Sequence, residues 1–432
     1  MTAGHRMGRL LASAEMARAF TIAVLAAVFS AFTIERMSSP VTQATILAVL
    51  CAIGAAILWV RREELSLLRL APTSLLVFLA WALVSVVWTT DRSDTLFGWM
   101  ALFGYGFLAI TVGHIRDTLQ TVRALGDTLR VLLLISLGLE ILSGVLLDIP
   151  FTFLGIQGDL AIGGPVQGIF GSRNMLGFVT VIALITFVIE WRSQSLTSRI
   201  AIPSIALAAM LAILSASPTV LVLALAVGVV TVALTIVRHA PAERRNVVQW
   251  VLGVLVALAL AAAFALRHPI IALMDAGSDF SIRATLWNTI LDFSAVKPIQ
   301  GWGWFGSWAR GEYPFTYINF QLDDHHQSAL NSYFDVLLQL GAAGLVLFLL
   351  LGGVALVRSW LVASVRRSVV YAWTPLMLVT LAVESMFESF TIVGAGWFML
   401  VLCALRAGQS RSWRENIDAA QTGVIPTLRA EG

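Results

Sequence analysis

Apolar and polar positions fall in long alternating blocks along this chain. Twelve apolar stretches lie near 16–34, 41–60, 71–88, 95–113, 130–147, 174–191, 200–214, 218–237, 248–266, 331–357, 370–388 and 391–405. Stretches this long and this apolar predict membrane-crossing helices, because a backbone in lipid must satisfy its own hydrogen bonds. The seventh stretch is short and the last two nearly touch. The pattern therefore predicts an all-α polytopic membrane protein of about 12 transmembrane helices. Residues 16–405 would form a single transmembrane domain, after a short cytoplasmic N-terminus of residues 1–15. A polar tail, 406–432, is expected to be disordered. The longest connection, 267–330, separates the ninth and tenth helices. Residues 114–130 are amphipathic enough to lie along a membrane surface.

Composition sharpens the class. The chain is 58% hydrophobic and 12% charged, against about 25% charged in soluble proteins. This leaves no room for a separate soluble domain of ordinary size. No basic stretch is interleaved with aromatics, so nucleic acid is not an expected partner. Cys51 and Cys403 both sit in apolar stretches and read as packing residues. The first stretch follows Arg6, Arg9 and Arg18, as a signal peptide's apolar core would. No small-residue cleavage site follows it, so it is expected to remain as the first helix.

Charge supplies orientation. With the N-terminus inside, alternate connections carry 21 of the 28 lysine and arginine residues. The opposite side carries Arg36, Arg92, Arg173, Arg267, Arg283, Lys297 and Arg310. The positive-inside rule then places both termini in the cytoplasm and the 267–330 loop outside. Most outer cations fall in that loop and in the connection ending at Arg173. Charge kept beside lipid against the topological bias usually has work to do.

Three segments carry candidate chemistry. Gly168-Ile-Phe-Gly-Ser-Arg173-Asn174 leads into the sixth stretch. Asn174 can cap that helix, and Arg173 beside free backbone N–H groups suits a phosphate. By spacing alone, snorkelling to lipid headgroups is the better explanation of Arg173. Ser281 to Trp287 reads as a short amphipathic helix with Ile282, Leu286 and Ile290 on one side, and Arg283 and Trp287 sharing a face. Trp302, Trp304 and Trp308 follow in a Gly-rich run. They suit the membrane interface first and sugar faces second. The third segment, Asp323-Asp-His-His-Gln-Ser-Ala-Leu-Asn331-Ser-Tyr-Phe-Asp335, precedes the tenth stretch. Either histidine could accept a proton near neutral pH, with Asp323, Asp324 or Asp335 to orient it. Polar residues at a helix entrance are the plainer reading. With no third histidine or cysteine nearby, a metal site is not expected. Glu140, Glu384 and Glu388 lie in or beside spans, where they can relay protons or pair with Arg173 or Arg283.

Together these segments resemble the O-antigen ligase and polymerase superfamily of bacterial membrane glycosyltransferases. The resemblance runs from about residue 71 to 405. It rests on Trp88-Thr-Thr-Asp91, Gly168 to Asn174, Leu214-Ser-Ala-Ser217, Arg283-Ala-Thr-Leu-Trp287, Lys297-Pro-Ile-Gln-Gly-Trp-Gly303, and Asn331 through Gly341-Ala-Ala-Gly344. Two positions depart from the family's pattern. Pro218 stands where the family often has an arginine, so one phosphate-binding cation is either missing or supplied elsewhere, Arg310 being the candidate. Leu330 stands where the family commonly has a histidine. On a continuous helix His326 would lie on the same face, one turn outward.

The resemblance implies a GT-C-like fold in the plasma (inner) membrane. It implies transfer of a glycan from a polyprenyl-diphosphate carrier to an acceptor hydroxyl at the outer face, with inversion and without a cofactor or required metal. Arg173, Arg283 and Arg310 would bind the diphosphate. His326 or His325 would act as base, and Arg283 would also stabilise the leaving group. Asn174, Trp287, Asn331 and Asp335 would support them. The acceptor, a glycan, lipid or protein, is left open, as is ligase against polymerase. A transporter of lipid-linked glycans is the alternative from another class.

Overall fold

The computed structural model of this chain describes residues 8, 11–63, 70–265, 277–308 and 311–422. Among them are fifteen α-helices and one isolated extended bridge, Phe151 to Ile156. The helices are α1 Ala14–Phe29, α2 Ala31–Met37, α3 Pro40–Val60, α4 Thr73–Val84, α5 Arg92–Ile115, α6 Thr118–Ile141, α7 Arg173–Arg192 and α8 Ser198–Leu214. They continue with α9 Pro218–His239, α10 Ala242–Ala265, α11 Gly277–Val296, α12 Phe315–Leu322, α13 Ser332–Val365, α14 Val370–Glu384 and α15 Gly394–Thr422. Side chains fix many of the starts: Ser39 caps α3, Asp91 caps α5, Ser172 caps α7 and Asn331 caps α13.

Each of the twelve apolar stretches coincides with helix. Six described helices are long and apolar enough to cross a bilayer: α3, α5, α6 extended to Leu147, α7, α9 and α13. A seventh arises if α1 and α2, bent by 68° at Ser30, count as one broken span. The helices at 73–87, 198–214 and 370–384 are apolar but shorter. Outward-facing Leu221, Leu225 and Val229 on α9 expose broad apolar surface, which lipid rather than water suits.

Two expected boundaries shift. Residues 118–130 are not a surface helix. They open α6, where Asp117 and Gln120 form a capping box and Thr121, Val122 and Leu125 are buried in the bundle. The last helix runs past 405 to Thr422.

The core of the bundle gathers α5, α7, α13, α14 and α15 around Trp373, Trp397 and Phe398. A second core lies within the 277–331 segment, built from Leu286, Ile290, Trp302, Phe305, Trp308, Phe315 and Ile318. This corrects the placement of the tryptophans. Trp302, Trp304 and Trp308 are 6%, 1% and 5% exposed. A segment this long buries its large rings in its own core and against the bundle, which gains more than leaving them at a lipid interface.

A break in α13 joins the two cores. Gly341 sits at φ 67°, ψ −171°, inside the long helix. The backbone groups freed there pair with Pro298–Gly303. Trp302 N donates to Leu338 O at 3.1 Å and Gly303 N to Gln339 O at 2.8 Å; Ala342 N donates to Pro298 O at 2.8 Å and Ala343 N to Ile299 O at 3.2 Å. Both chains need glycine for this approach: a Cβ on Gly341 would meet Ile299 O at 2.2 Å, and one on Gly301 would meet Gln339 O at 2.5 Å. Gln339 and Asp335, buried on the same helix, hold the rest of the Trp run. Gln339 Oε1 accepts from Phe305 N and Gly306 N, and Asp335 Oδ1 accepts from Trp308 Nε1 at 2.6 Å.

Candidate functional site: an arginine junction beside a histidine-lined cavity

Segments far apart in sequence meet at one end of the bundle through a chain of hydrogen bonds. Arg283, on α11, donates from Nη2 to Glu388 Oε1 at 3.0 Å. Its Nη1 donates to Leu330 O at 3.1 Å and also to Phe387 O. Glu388 Oε1 accepts in turn from Asn174 Nδ2 at 2.6 Å, and Asn174 Oδ1 accepts from Ser217 Oγ at 2.7 Å. Ser217 Oγ lies 2.8 Å from Thr219 Oγ1. Thus Arg283, the Gly168–Asn174 loop and the Leu214–Ser217 turn, all quoted in the resemblance, share one network. Glu388 is its centre.

The network is buried enough to be strong. The Arg283 and Glu388 side chains are 19% and 7% exposed. Charge-assisted bonds between such groups are short and directional, and removing one partner strands the other charge. The bonds to Leu330, Phe387 and Glu388 engage three of the five guanidinium N–H groups. Of the three acids in or beside spans, Glu388 takes the arginine. Glu140 instead accepts from Gln167 N and Gly168 N at 3.0 and 2.7 Å, and Glu384 accepts from Thr391 Oγ1 at 2.7 Å.

The Gly168–Asn174 loop is fixed from several sides. Besides Glu140, Ser136 Oγ accepts from Ile169 N, and Thr33 Oγ1 donates to Ile169 O at 2.6 Å. Ser172, not Asn174, caps α7: its Oγ accepts from Met175 N at 3.1 Å. A serine cap leaves the Asn174 amide free to bridge Glu388 and Ser217. Arg173 is the first residue of α7, half-buried beside Asn174. Arg310 lies outside the described residues.

The histidine pair divides. His325 is exposed, and its backbone N donates to Asp324 Oδ1 at 2.7 Å. The His326 side chain is 9% exposed, with Nε2 3.3 Å from Asp324 Oδ2. No hydrogen bond joins the two, and the contact is an ion pair only when His326 is protonated. Burial holds the His326 pKa below the ordinary histidine value; Asp324 pulls it upward and Arg283 pushes it further down. Both histidines line a cavity of about 620 Å³ with Trp308, Asn319, Phe320, Asp323 and Asp324. Among the described residues no three His, Cys, Asp or Glu side chains gather as a metal site.

His326 is not placed by an extension of α13. That helix starts at Ser332, because Asn331 turns its Oδ1 onto Tyr333 N at 2.9 Å and Phe334 N at 3.2 Å. Leu330, at φ 49°, breaks the path back to His326. Asn319 holds His326 instead: its Oδ1 accepts from His326 N at 3.0 Å, and its Nδ2 donates to His326 O at 2.9 Å. Nothing in the local sequence marks Asn319, since its partner is seven residues away in an irregular segment.

The other expected supports are each tied into the surrounding fold. Trp287 stacks on Phe334, with ring centroids 5.4 Å apart, and donates from Nε1 to Ala329 O at 2.9 Å. Asn331 Nδ2 reaches Met386 O at 3.0 Å, tying α13 to the turn that carries Glu388. Asp335 is wholly buried and accepts from Trp308 Nε1, Gln339 Nε2, Ala329 N and Ser389 Oγ. It anchors the loop and does not touch the histidines; Asp324 takes that position.

These features define a multi-pass helical membrane protein with a polar site at one end of its bundle. Residues 203–349 match the family model described as O-antigen ligase. The match spans Ser217, Arg283, His326, Asn331 and Gly341. No curated protein matches the chain.

Proposed function

We propose that this protein is a membrane glycosyltransferase that moves a glycan from a polyprenyl-diphosphate carrier to an acceptor hydroxyl, in the manner of an O-antigen ligase. The observation that carries this reading is the junction Arg283–Glu388–Asn174–Ser217, which Arg283 also ties to Leu330 O in the segment that carries His326 and its cavity. It supports a cationic grip for the donor diphosphate beside a base for the acceptor. Arg283, with Arg173 at the start of α7, binds the diphosphate and stabilises the charge on the leaving group. His326, rather than exposed His325, takes the acceptor proton. Attack on the face opposite the leaving diphosphate inverts the anomeric centre. The protein sits in the inner membrane with twelve crossings, both termini in the cytoplasm, and the site on the outer face where flipped lipid-linked glycans are presented.

The test is glycan transfer by purified protein, given an undecaprenyl-diphosphate glycan, candidate acceptors and a chelator. We expect a new glycosidic bond with wild-type protein and at least a 100-fold loss in Arg283→Ala, on the order expected for a lost oxyanion donor. Wild-type transfer in Arg173→Ala and Arg283→Ala would remove the site assignment. Glycan movement across vesicles without a new bond would favour transport.

A further inference from the structure

We infer that Asp324 is a positioning residue whose carboxylate, 3.3 Å from His326 Nε2, favours the proton on that nitrogen by charge rather than by a hydrogen bond, so that Nδ1 is the nitrogen presented to the acceptor in the 620 Å³ cavity. This rests on the reading of His326 as the base. Nε2 is the buried nitrogen of the ring, and its neighbour is Asp324 Oδ2 at 3.3 Å. A buried ring nitrogen facing a carboxylate favours its N–H form, which leaves the lone pair on the other nitrogen. Asn319 completes the frame. By clamping both the N–H and the carbonyl of His326, it fixes where the ring starts, while the Asp324 carboxylate lies 3.3 Å from Nε2. The Asp324 backbone N donates to Asn319 O at 3.2 Å, so the two supports brace each other.

The step balances without another reagent. The acceptor O–H bond breaks and its proton goes to Nδ1. The acceptor oxygen's electron pair forms the bond to the anomeric carbon. The bond from that carbon to the diphosphate oxygen breaks, and its electron pair leaves on the diphosphate. The imidazolium formed is stabilised by the charge of the half-exposed Asp324 carboxylate, 3.3 Å from Nε2. Arg283 opposes the same charge from the donor side, and Asp323 and His325 complete the titratable lining of the cavity.

The experiment compares wild type, Asp324→Ala, Asp324→Glu and His326→Ala in the transfer assay across pH, with ¹⁵N-histidine NMR of the same proteins. We expect neutral His326 to carry its proton on Nε2. In Asp324→Ala, kcat should fall about 10- to 100-fold, as for other outer partners of a working histidine, with acceptor KM within about 2-fold. The acid limb of the rate profile should move to lower pH, because a carboxylate that raises the imidazole's pKa is gone. Asp324→Glu should recover most of the rate. The inference is overturned if His326→Ala is inactive while Asp324→Ala keeps wild-type kcat and an unmoved limb, or if neutral His326 carries its proton on Nδ1. Wild-type transfer by His326→Ala would sink the base assignment itself, and the inference with it.

Discussion

Arg283 and Asn174 could be picked from the sequence, because charge and amide at the edge of a span are conspicuous. Glu388 could not be assigned to them. It lies 105 residues from Arg283 in sequence and 214 from Asn174, and an acid beside a span has several arginines within plausible reach. Asn319 left no signal at all, since a clamp on one backbone unit needs no motif. The histidines were visible as a pair, but only burial separates them: His326 turns inward to Asp324 while His325 faces out. That burial has a pH consequence. Above the ordinary histidine value of about 6.5, His326 is neutral whether folded or unfolded. As pH falls below that value, an unfolded chain would protonate first, so folded protein loses relative stability. At the lowered native pKa the base itself is lost. Transfer should therefore hold steady through neutral pH and fall on an acid limb whose midpoint lies below about 6.5. A limb centred clearly above that value would contradict the burial argument.

At the level of elements, the apolar blocks located the helices well because lipid-facing length and composition are local properties. What the blocks could not reveal is the break inside α13. Gly341 reads as one more small residue in a span until its φ of 67° and the paired Pro298–Gly303 strand of backbone are seen. The same holds for the tryptophans. A Gly/Trp run looks like an interface belt, yet here it packs into the core of a folded segment, pinned by Gln339 and Asp335. A side chain at 341 must either push Ile299 away or straighten the helix. Gly341→Ala should lower stability by about 2–4 kcal/mol, within the range for backbone strain plus lost packing, read as a lower melting temperature in detergent. Gly353→Ala, where an added Cβ meets nothing within 4 Å, should leave the melting temperature nearly unchanged or raise it. Equal effects from the two substitutions would argue against the break as a structural joint.

For the whole molecule, the account joins a bundle to a polar end at which the Gly168–Asn174 loop, the Ser217 turn, α11 and the start of α13 converge. The family match over residues 203–349 covers most of these, but Asn174 and Glu388 fall outside it. Asn174 belongs to a quoted motif, whereas the inclusion of Glu388 rests on its bonds to Arg283 and Asn174 alone. The arginine count predicts that this end faces away from the cytoplasm. A fluorescent protein fused at the C-terminus should therefore fold and fluoresce, and a membrane-impermeant thiol reagent should label Gln327→Cys in whole spheroplasts; labelling only after lysis would reverse the topology. The most direct test of the central claim separates grip from base in one binding measurement. Labelled undecaprenyl-diphosphate glycan is titrated into wild type, Arg283→Ala and His326→Ala, with transfer recorded on the same samples. The account predicts that Arg283→Ala loses donor affinity at least 10-fold, by the loss of a charge-assisted contact to the diphosphate, while His326→Ala binds donor like wild type and transfers nothing. Donor affinity unchanged by Arg283→Ala, together with undiminished transfer by His326→Ala, would contradict it.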